Sequence, residues 1–260
     1  MLRLKTEKNI TFTSKSIPMK KSFSVLLSAV LFLTIFISCM NRKTNVLDVL
    51  LVTGGHRYDT SEFHALFTEM EGLNTTILYQ PQANRLIASG DAEKYDVLVF
   101  YDMWREIDAE EILGYEKLLE KGKGFVFLHH SLVSYQDWED FRNIVGGKYH
   151  SSVQNGDSSR LSNYTHDIEM QVMIEKEHAV TEGLDDFVIL DEGYGNIEVL
   201  PEVELLLRTD HPNSSANIGW THMYKNSNIV YLMLGHDKNA YSNPAFQTLL
   251  KNSIHFTAGK

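Results

Sequence analysis

The sequence predicts an α/β fold: a doubly wound, mostly parallel sheet with helices on both faces and extra strands in the C-terminal half. Three observations carry this. From Val46 to Gly147, apolar strand-like runs alternate with amphipathic helical ones. Val46–Val52, broken only by Asp48, and Phe125–Leu128 are continuous apolar runs, as expected where both faces of a sheet are covered. And Gly122-Lys-Gly-Phe-Val-Phe-Leu-His129-His130-Ser131 reads as a glycine-stopped helix, an apolar strand, then two histidines where the strand ends. In open parallel sheets ligands bind just beyond the carboxyl ends of the strands, so that position is the reference for every functional expectation.

The elements follow in order. Val46–Val52 is a strand running into Thr53-Gly54-Gly55-His56. Glu62–Met70 places Phe63, Leu66, Phe67 and Met70 at helical spacing. Thr75–Tyr79 and Tyr95–Tyr101 are the next strands, the latter ending Asp102-Met103-Trp104. Ile107–Glu120 is an amphipathic helix with Asp108 as N-cap and Gly122 as stop. Phe125–Leu128 is the central strand, and Trp138–Ile144 a short helix ended by Gly146-Gly147. Residues 151–163, rich in Ser, Asn and Gly, read as a loop. Ile168–Ile174, a strand within Glu198–Arg208, Ile218–Tyr224 and Ile229–Leu234 complete the strands, and Pro244–Phe256 closes the chain as a helix with proline in its first turn. There is no internal repeat. The 148–200 stretch reads as an elaboration over the carboxyl edge of the sheet.

Before the fold comes a leader. Met19-Lys20-Lys21 is a positive start, Ser22–Ile37 an apolar core, and Ser38-Cys39 a small residue before the single cysteine. This pattern predicts a secretory signal over 1–39, ending at a lipoprotein cleavage site, with 1–18 a mis-called start and 40–45 a tether to a domain over 46–258. The alternative, a transmembrane anchor, asks for a longer apolar run of about 20 residues. The expected location is periplasmic or cell-surface, with membrane contact only through a lipid on Cys39. The domain then has no disulfide and no thiol nucleophile. A formal charge of -10 without a basic stripe argues against a nucleic-acid partner.

Polar pairs stand at four strand ends: His56, Asp102, His129-His130, and His236-Asp237. In a parallel sheet these ends share one edge, which predicts a common site. Asp191-Glu192-Gly193-Tyr194 offers a carboxylate and a phenol in a glycine-loosened turn, suited to acid–base work. Tyr164-Thr-His166-Asp167 is a further polar cluster. Trp220, His222 and Tyr224 alternate on one strand face, an aromatic platform with polar tips that suits a sugar ring or, alternatively, packs against the closing helix. No HxxxH or HxH spacing is present, so a divalent metal such as zinc would need ligands from distant strands, with His129 and His236 as candidates. Ser131 lacks the Gly-x-Ser-x-Gly elbow of serine hydrolases. Thr53-Gly54-Gly55-His56 is too short for a phosphate-binding loop.

Taken in order, Gly54-Gly55-His56, Tyr101-Asp102-Met103-Trp104, Gly124-Phe-Val-Phe-Leu-His129-His130, Tyr135-Gln-Asp-Trp138, Val145-Gly146-Gly147-Lys-Tyr149-His150, His178-Ala-Val-Thr181-Glu-Gly183-Leu184, Asp191-Glu192-Gly-Tyr194, Trp220-Thr-His222 and Leu234-Gly235-His236-Asp237 resemble the ThuA-like family, named for trehalose utilisation. The resemblance spans about residues 46–258. It implies a flavodoxin-like, class I glutamine amidotransferase-like fold. In the amidotransferases the central strand ends in a nucleophilic cysteine; here that turn carries His129 or His130, so thioester chemistry is excluded. Ala179 stands where the family favours proline, and the His178 loop reads as structural. The family's sugar-utilisation setting implies a small-molecule carbohydrate, including oxidised 3-keto glycosides, as ligand.

These readings combine into an enzyme of carbohydrate breakdown, a hydrolase, lyase or isomerase acting on a glycoside or 3-keto-sugar. His129, His130 and Glu192 are the expected catalytic groups. His56, Asp102, Tyr135, His150 and His166 are expected to bind substrate, as are Tyr194, Trp220, His222, Tyr224 and Asp237. The alternatives are a non-catalytic sugar-binding lipoprotein and a scaffold on a degenerate amidotransferase fold.

Overall fold

The computed structural model describes residues 46–153 and 158–259, with three isolated positions near the N-terminus. The expected leader, Cys39 and the tether lie outside the described residues. Among the described residues no helix is long and apolar enough to cross a membrane.

The chain runs β1 (Leu47–Gly54), α1 (Thr60–Thr68), β2 (Leu73–Tyr79), α2 (Gln82–Ser89), β3 (Val97–Asp102), α3 (Ala109–Glu120) and β4 (Gly124–Leu128). A short 3-10 turn (His129–Val133) leads to α4 (Phe141–Val145) and β5 (Gly147–Lys148). Then come β6 (Asn163–Ile174), β7 (Phe187–Gly195), β8 (Glu198–Val199), β9 (Glu204–Arg208), β10 (Asn217–Tyr224), β11 (Ser227–Leu232), α5 (Lys238–Tyr241) and α6 (Pro244–Thr257). Nine strands form one sheet in the order β2-β1-β3-β4-β11-β10-β9-β6-β7. Strands β2, β1, β3, β4 and β11 are mutually parallel. The pairings β11–β10, β10–β9, β9–β6 and β6–β7 are antiparallel. This is the flavodoxin-like arrangement with added antiparallel strands.

The parallel centre is the core. Every residue of β3 and β4 is buried, as are Leu50, Leu51 and Val52 of β1 and Ile229–Leu232 of β11. Burying each large apolar side chain among them contributes about 1.5–3 kcal/mol. Helix α3 starts where the sequence places it: Asp108 Oδ1 accepts from the amides of Glu110 and Glu111, and Glu111 Oε2 accepts from the Asp108 amide at 3.1 Å. This capping box is worth about 1 kcal/mol.

Three elements differ from expectation. Helix α2 is unanticipated; it buries Ala83 and Ile87 and packs on α3 at Gly114, where a Cβ would lie 2.6 Å from the Ile87 carbonyl oxygen. The span 198–208 is two strands, because the chain turns at Pro201 and the Leu200 amide donates to the Gly146 carbonyl. Asp191–Gly195 is the second half of β7, not a turn: β6 is long enough to pair it through Tyr164↔Tyr194 and Asn163↔Gly195.

Candidate functional site

Strands β1, β4 and β11 deliver histidines to one edge of the sheet. The His56 ring stacks on His130 with centroids 4.7 Å apart and lies 6.4 Å from His236. The His129 and His236 rings are 5.1 Å apart.

His129 sits at the end of β4 in the left-handed region (φ 47°) and is wholly buried. A non-glycine residue there stores about 1–3 kcal/mol of strain, sustained only by surrounding contacts. Those contacts are specific. Nδ1–H donates to the Met233 carbonyl at 2.6 Å. Nε2 therefore faces the rest of the site, 3.1 Å from His236 Nδ1 and 3.3 Å from Glu192 Oε1. The Tyr194 ring stacks on the imidazole at 4.8 Å, and Tyr231 OH donates to the His129 carbonyl. Burial opposes charge on His129, but Glu192, Asp191 and the Met233 carbonyl outweigh it and hold its pKa above the ordinary value.

Glu192 and His166 come from the β6–β7 hairpin. Among the described residues this hairpin pairs with the main sheet at Met173↔Arg208 and Ile174↔Leu207, extended by the Glu175 amide donating to the Leu206 carbonyl. Glu192 Oε2 lies 2.5 Å from His166 Nδ1 and 3.7 Å from His236 Nδ1. Burial alone would raise the Glu192 pKa; the His129 contact and the other imidazoles bring it below the usual carboxylate range. Asp191 points away from the cavity. Its Oδ2 accepts from the Gly235 amide at 2.8 Å, and Oδ1 from the amides of His236 (2.9 Å) and Glu192 (2.8 Å). It fixes the turn that carries His236, with Gly235 at φ 110°. Tyr101 OH supports the same turn by donating to the Gly235 carbonyl at 2.8 Å.

His130 donates through Nε2–H to the Tyr101 carbonyl at 3.3 Å, while its Nδ1 is buried with no hydrogen-bond partner. Burial, then the neighbouring His129 and His56, push its pKa well below the usual imidazole value, so it is neutral. Burial likewise lowers the pKa values of His56 and His236.

Beside these groups lies a cavity of about 360 Å³. His56, His130, His166, Glu192 and Tyr194 line it, together with Tyr149, Tyr164, Ser151, Ser162 and Arg105. Of the expected residues, the structure thus brings together His56, His129, His130, His166, Glu192, Tyr194 and His236.

Six lie elsewhere, and a seventh caps a helix. Asp102 turns into the interior, where Oδ2 accepts from Gln80 Nε2 at 2.9 Å and Tyr135 OH at 3.4 Å. Tyr135 belongs to that same buried network with Asn84 and Tyr115. Burial raises the Asp102 pKa to about 7, against its hydrogen bonds. Trp220 and His222 pack under α4, donating to the carbonyls of Val145 (2.8 Å) and Ile144 (2.9 Å). Tyr224 follows them along β10, away from the carboxyl edge of β11, because the two strands run antiparallel. The platform is therefore a packing face rather than a sugar subsite. His150 pairs with Glu198 at 3.3 Å in a separate cavity with Arg142, Lys148 and Arg160. Asp237 caps α5 through the amides of Asn239 and Ala240. His178 caps its own turn by accepting from the Val180 amide.

The sequence reading did not single out Arg105, Ser151, Ser162 or the positioning role of Asp191. Arg105 has a signal in hindsight: it closely follows the β3 end. The serines are placed by a loop whose path the residue pattern does not encode.

Residues 48–257 match the ThuA family, described as trehalose utilisation. None of the curated proteins compared matches the chain. A ThuA-like protein from Parabacteroides merdae superposes with a TM-score of 0.67 at 19% identity, covering 82% of this chain and 91% of that one. A second, from Bacteroides uniformis, gives 0.63 at 19%, covering 83% and 93%. A beta-galactosidase from Bacillus circulans gives 0.54 at 11%, covering 79% of this chain and 30% of that enzyme. At these identities the superpositions speak for the fold. The family match spans nearly every strand and helix described above, and on it the chain belongs to the ThuA family, whose description ties it to carbohydrate utilisation.

Proposed function

We propose that the chain is an enzyme acting on a sugar derivative, with the His129–Glu192–His236–His166 cluster as its reactive centre. One observation carries the reading: a buried carboxylate, held by three imidazoles from separate elements, opens onto a cavity of small-molecule size. Tyr149, Tyr164 and Tyr194 offer apolar ring faces and hydroxyls, and Ser151 and Ser162 add further hydroxyls, which matches the amphipathic surface of a sugar.

The chemistry is narrowed by what lines the cavity. Glycoside hydrolysis in its usual form needs two carboxylates across the scissile bond. Glu192 is the single carboxylate among the lining residues, since Asp191 is turned to backbone amides. A 3-keto sugar asks for less. Its carbonyl acidifies the neighbouring C–H, so one base and one acid suffice for elimination or isomerisation. Glu192, His166 and His130 line the cavity and can reach a ligand, whereas His129 is buried behind Glu192 and acts as its positioning residue. The favoured substrate class is therefore a 3-keto-glycoside. Location outside the cytoplasm through a lipid on Cys39 belongs to the same proposal.

The test is incubation with a panel of glycosides and their 3-keto derivatives, following product by mass spectrometry. Product from a keto derivative that disappears in Glu192→Gln supports the reading. Saturable binding with no product from any member replaces it with a sugar-binding protein.

A further inference from the structure

We infer that His129 Nε2, Glu192 Oε1 and His236 Nδ1 form a binding site for one divalent transition-metal ion, with zinc as the best-suited ion. The three residues present ligand atoms that all lie within 4.8 Å of one another. Bonds of about 2.0–2.1 Å in a tetrahedron put ligand atoms about 3.3 Å apart. Nε2 of His129 is 3.1 Å from Nδ1 of His236 and 3.3 Å from Oε1 of Glu192. Two imidazoles with one carboxylate is a donor set suited to zinc and its neighbours, and three protein ligands leave a fourth position for water or substrate.

The surroundings are those of a built site. The Met233 carbonyl takes the Nδ1 proton of His129, which leaves the Nε2 lone pair directed at the cluster. Such an outer hydrogen bond is the usual companion of a metal-bound histidine. Asp191 pins the backbone of His236, and His166 holds the second oxygen of Glu192. Glu192 also lines the cavity, which sets the site at its wall. A cation there would polarise a sugar oxygen, with His130 and His166 lining the cavity beside it. The inference deepens the enzymatic reading but is read without any substrate.

The experiment uses tag-free full-length protein, stripped with a chelator, dialysed and titrated with zinc alone by calorimetry, with elemental analysis of the reloaded protein. One equivalent of zinc per chain is expected. His236→Ala and Glu192→Gln should each weaken binding by more than 100-fold, and His166→Ala by about 10–100-fold, the usual cost of losing an outer-shell partner. Glu192→Gln preserves side-chain shape, so it guards against misfolding of the alanine variants. His211→Ala, outside the cluster, should bind as the parent does. A folded parent that takes up no zinc, or His236→Ala and Glu192→Gln variants that bind zinc as tightly as the parent, overturns the site. Zinc bound without sugar turnover would remove the enzymatic reading and leave the site intact.

Discussion

Replacing Asp102 by asparagine should change the pH dependence of stability in a defined direction. The carboxyl is buried with one oxygen lacking a partner, and its pKa in the fold is about 7 against an ordinary 3.8. Between those values the folded state keeps a proton that the unfolded chain has released. Stability from this group is therefore fullest below about pH 4 and declines as pH rises to about 7. With 1.36 kcal/mol per pKa unit, the loss between pH 5 and pH 8 is about 2–3 kcal/mol. Asparagine does not titrate, so its variant escapes that loss. Urea unfolding of both proteins at pH 5, 6, 7 and 8 measures the gap. It should widen in favour of Asp102→Asn by about 2–3 kcal/mol across the series. Parallel profiles would show that Asp102 ionises as freely in the fold as outside it, and would refute the account of the Gln80–Asn84–Tyr115–Tyr135 network as a desolvating enclosure.

His129→Ala should abolish turnover on keto-glycosides and lower stability by about 1–3 kcal/mol, because the Met233 carbonyl loses its donor in a buried setting; retained activity would remove His129 from the mechanism. Tyr101→Phe deletes the hydroxyl that holds the Gly235 carbonyl, and should cost about 1 kcal/mol in urea unfolding while raising KM or lowering kcat through the His236 turn. Gly55→Ala should destabilise by more than about 1 kcal/mol, since Gly55 has φ 80° and a Cβ would meet the Met103 carbonyl oxygen at 2.0 Å. Trp220→Phe should cost about 1 kcal/mol through the lost bond to Val145 and leave sugar binding unchanged; weakened binding would return that strand to the site.

The parallel half of the fold is written openly in the residues. Strands β1, β3 and β4 are nearly unbroken apolar runs, and Asp108 with Glu111 marks the start of α3 without any tertiary information. The gathering of His56, His129 and His236 follows from strand direction alone. What the residues conceal is direction within a strand. Asp102 also ends a parallel strand, yet its carboxyl points inward, because Gln80, Asn84 and Tyr135, all from other elements, offer partners there. Trp220, His222 and Tyr224 share a face as the alternation requires, but whether that face meets ligand or protein depends on α4, which arrives from elsewhere in the chain. Glu192 was singled out by its neighbours, whereas its strand was misread as a turn because Gly193 suggested a break. A Cβ on Gly193 would sit 2.5 Å from Ile168 Cδ1, so the strand packs closely there without breaking.

The β6–β7 hairpin pairs with the rest of the sheet at Met173 and Ile174 and divides the reactive cluster between two parts of one chain. His129 and His236 ride on the rigid parallel strands, while Glu192 and His166 ride on an appendage paired to its neighbour at two positions. Asp191, reaching from the appendage to the amides of Gly235 and His236, is the clasp across that seam. Cutting it would free the Gly235–His236 turn while the Ser215–Tyr194 and Asn243–Val188 bonds keep the hairpin in place, so the geometry of the centre can fail while the fold survives.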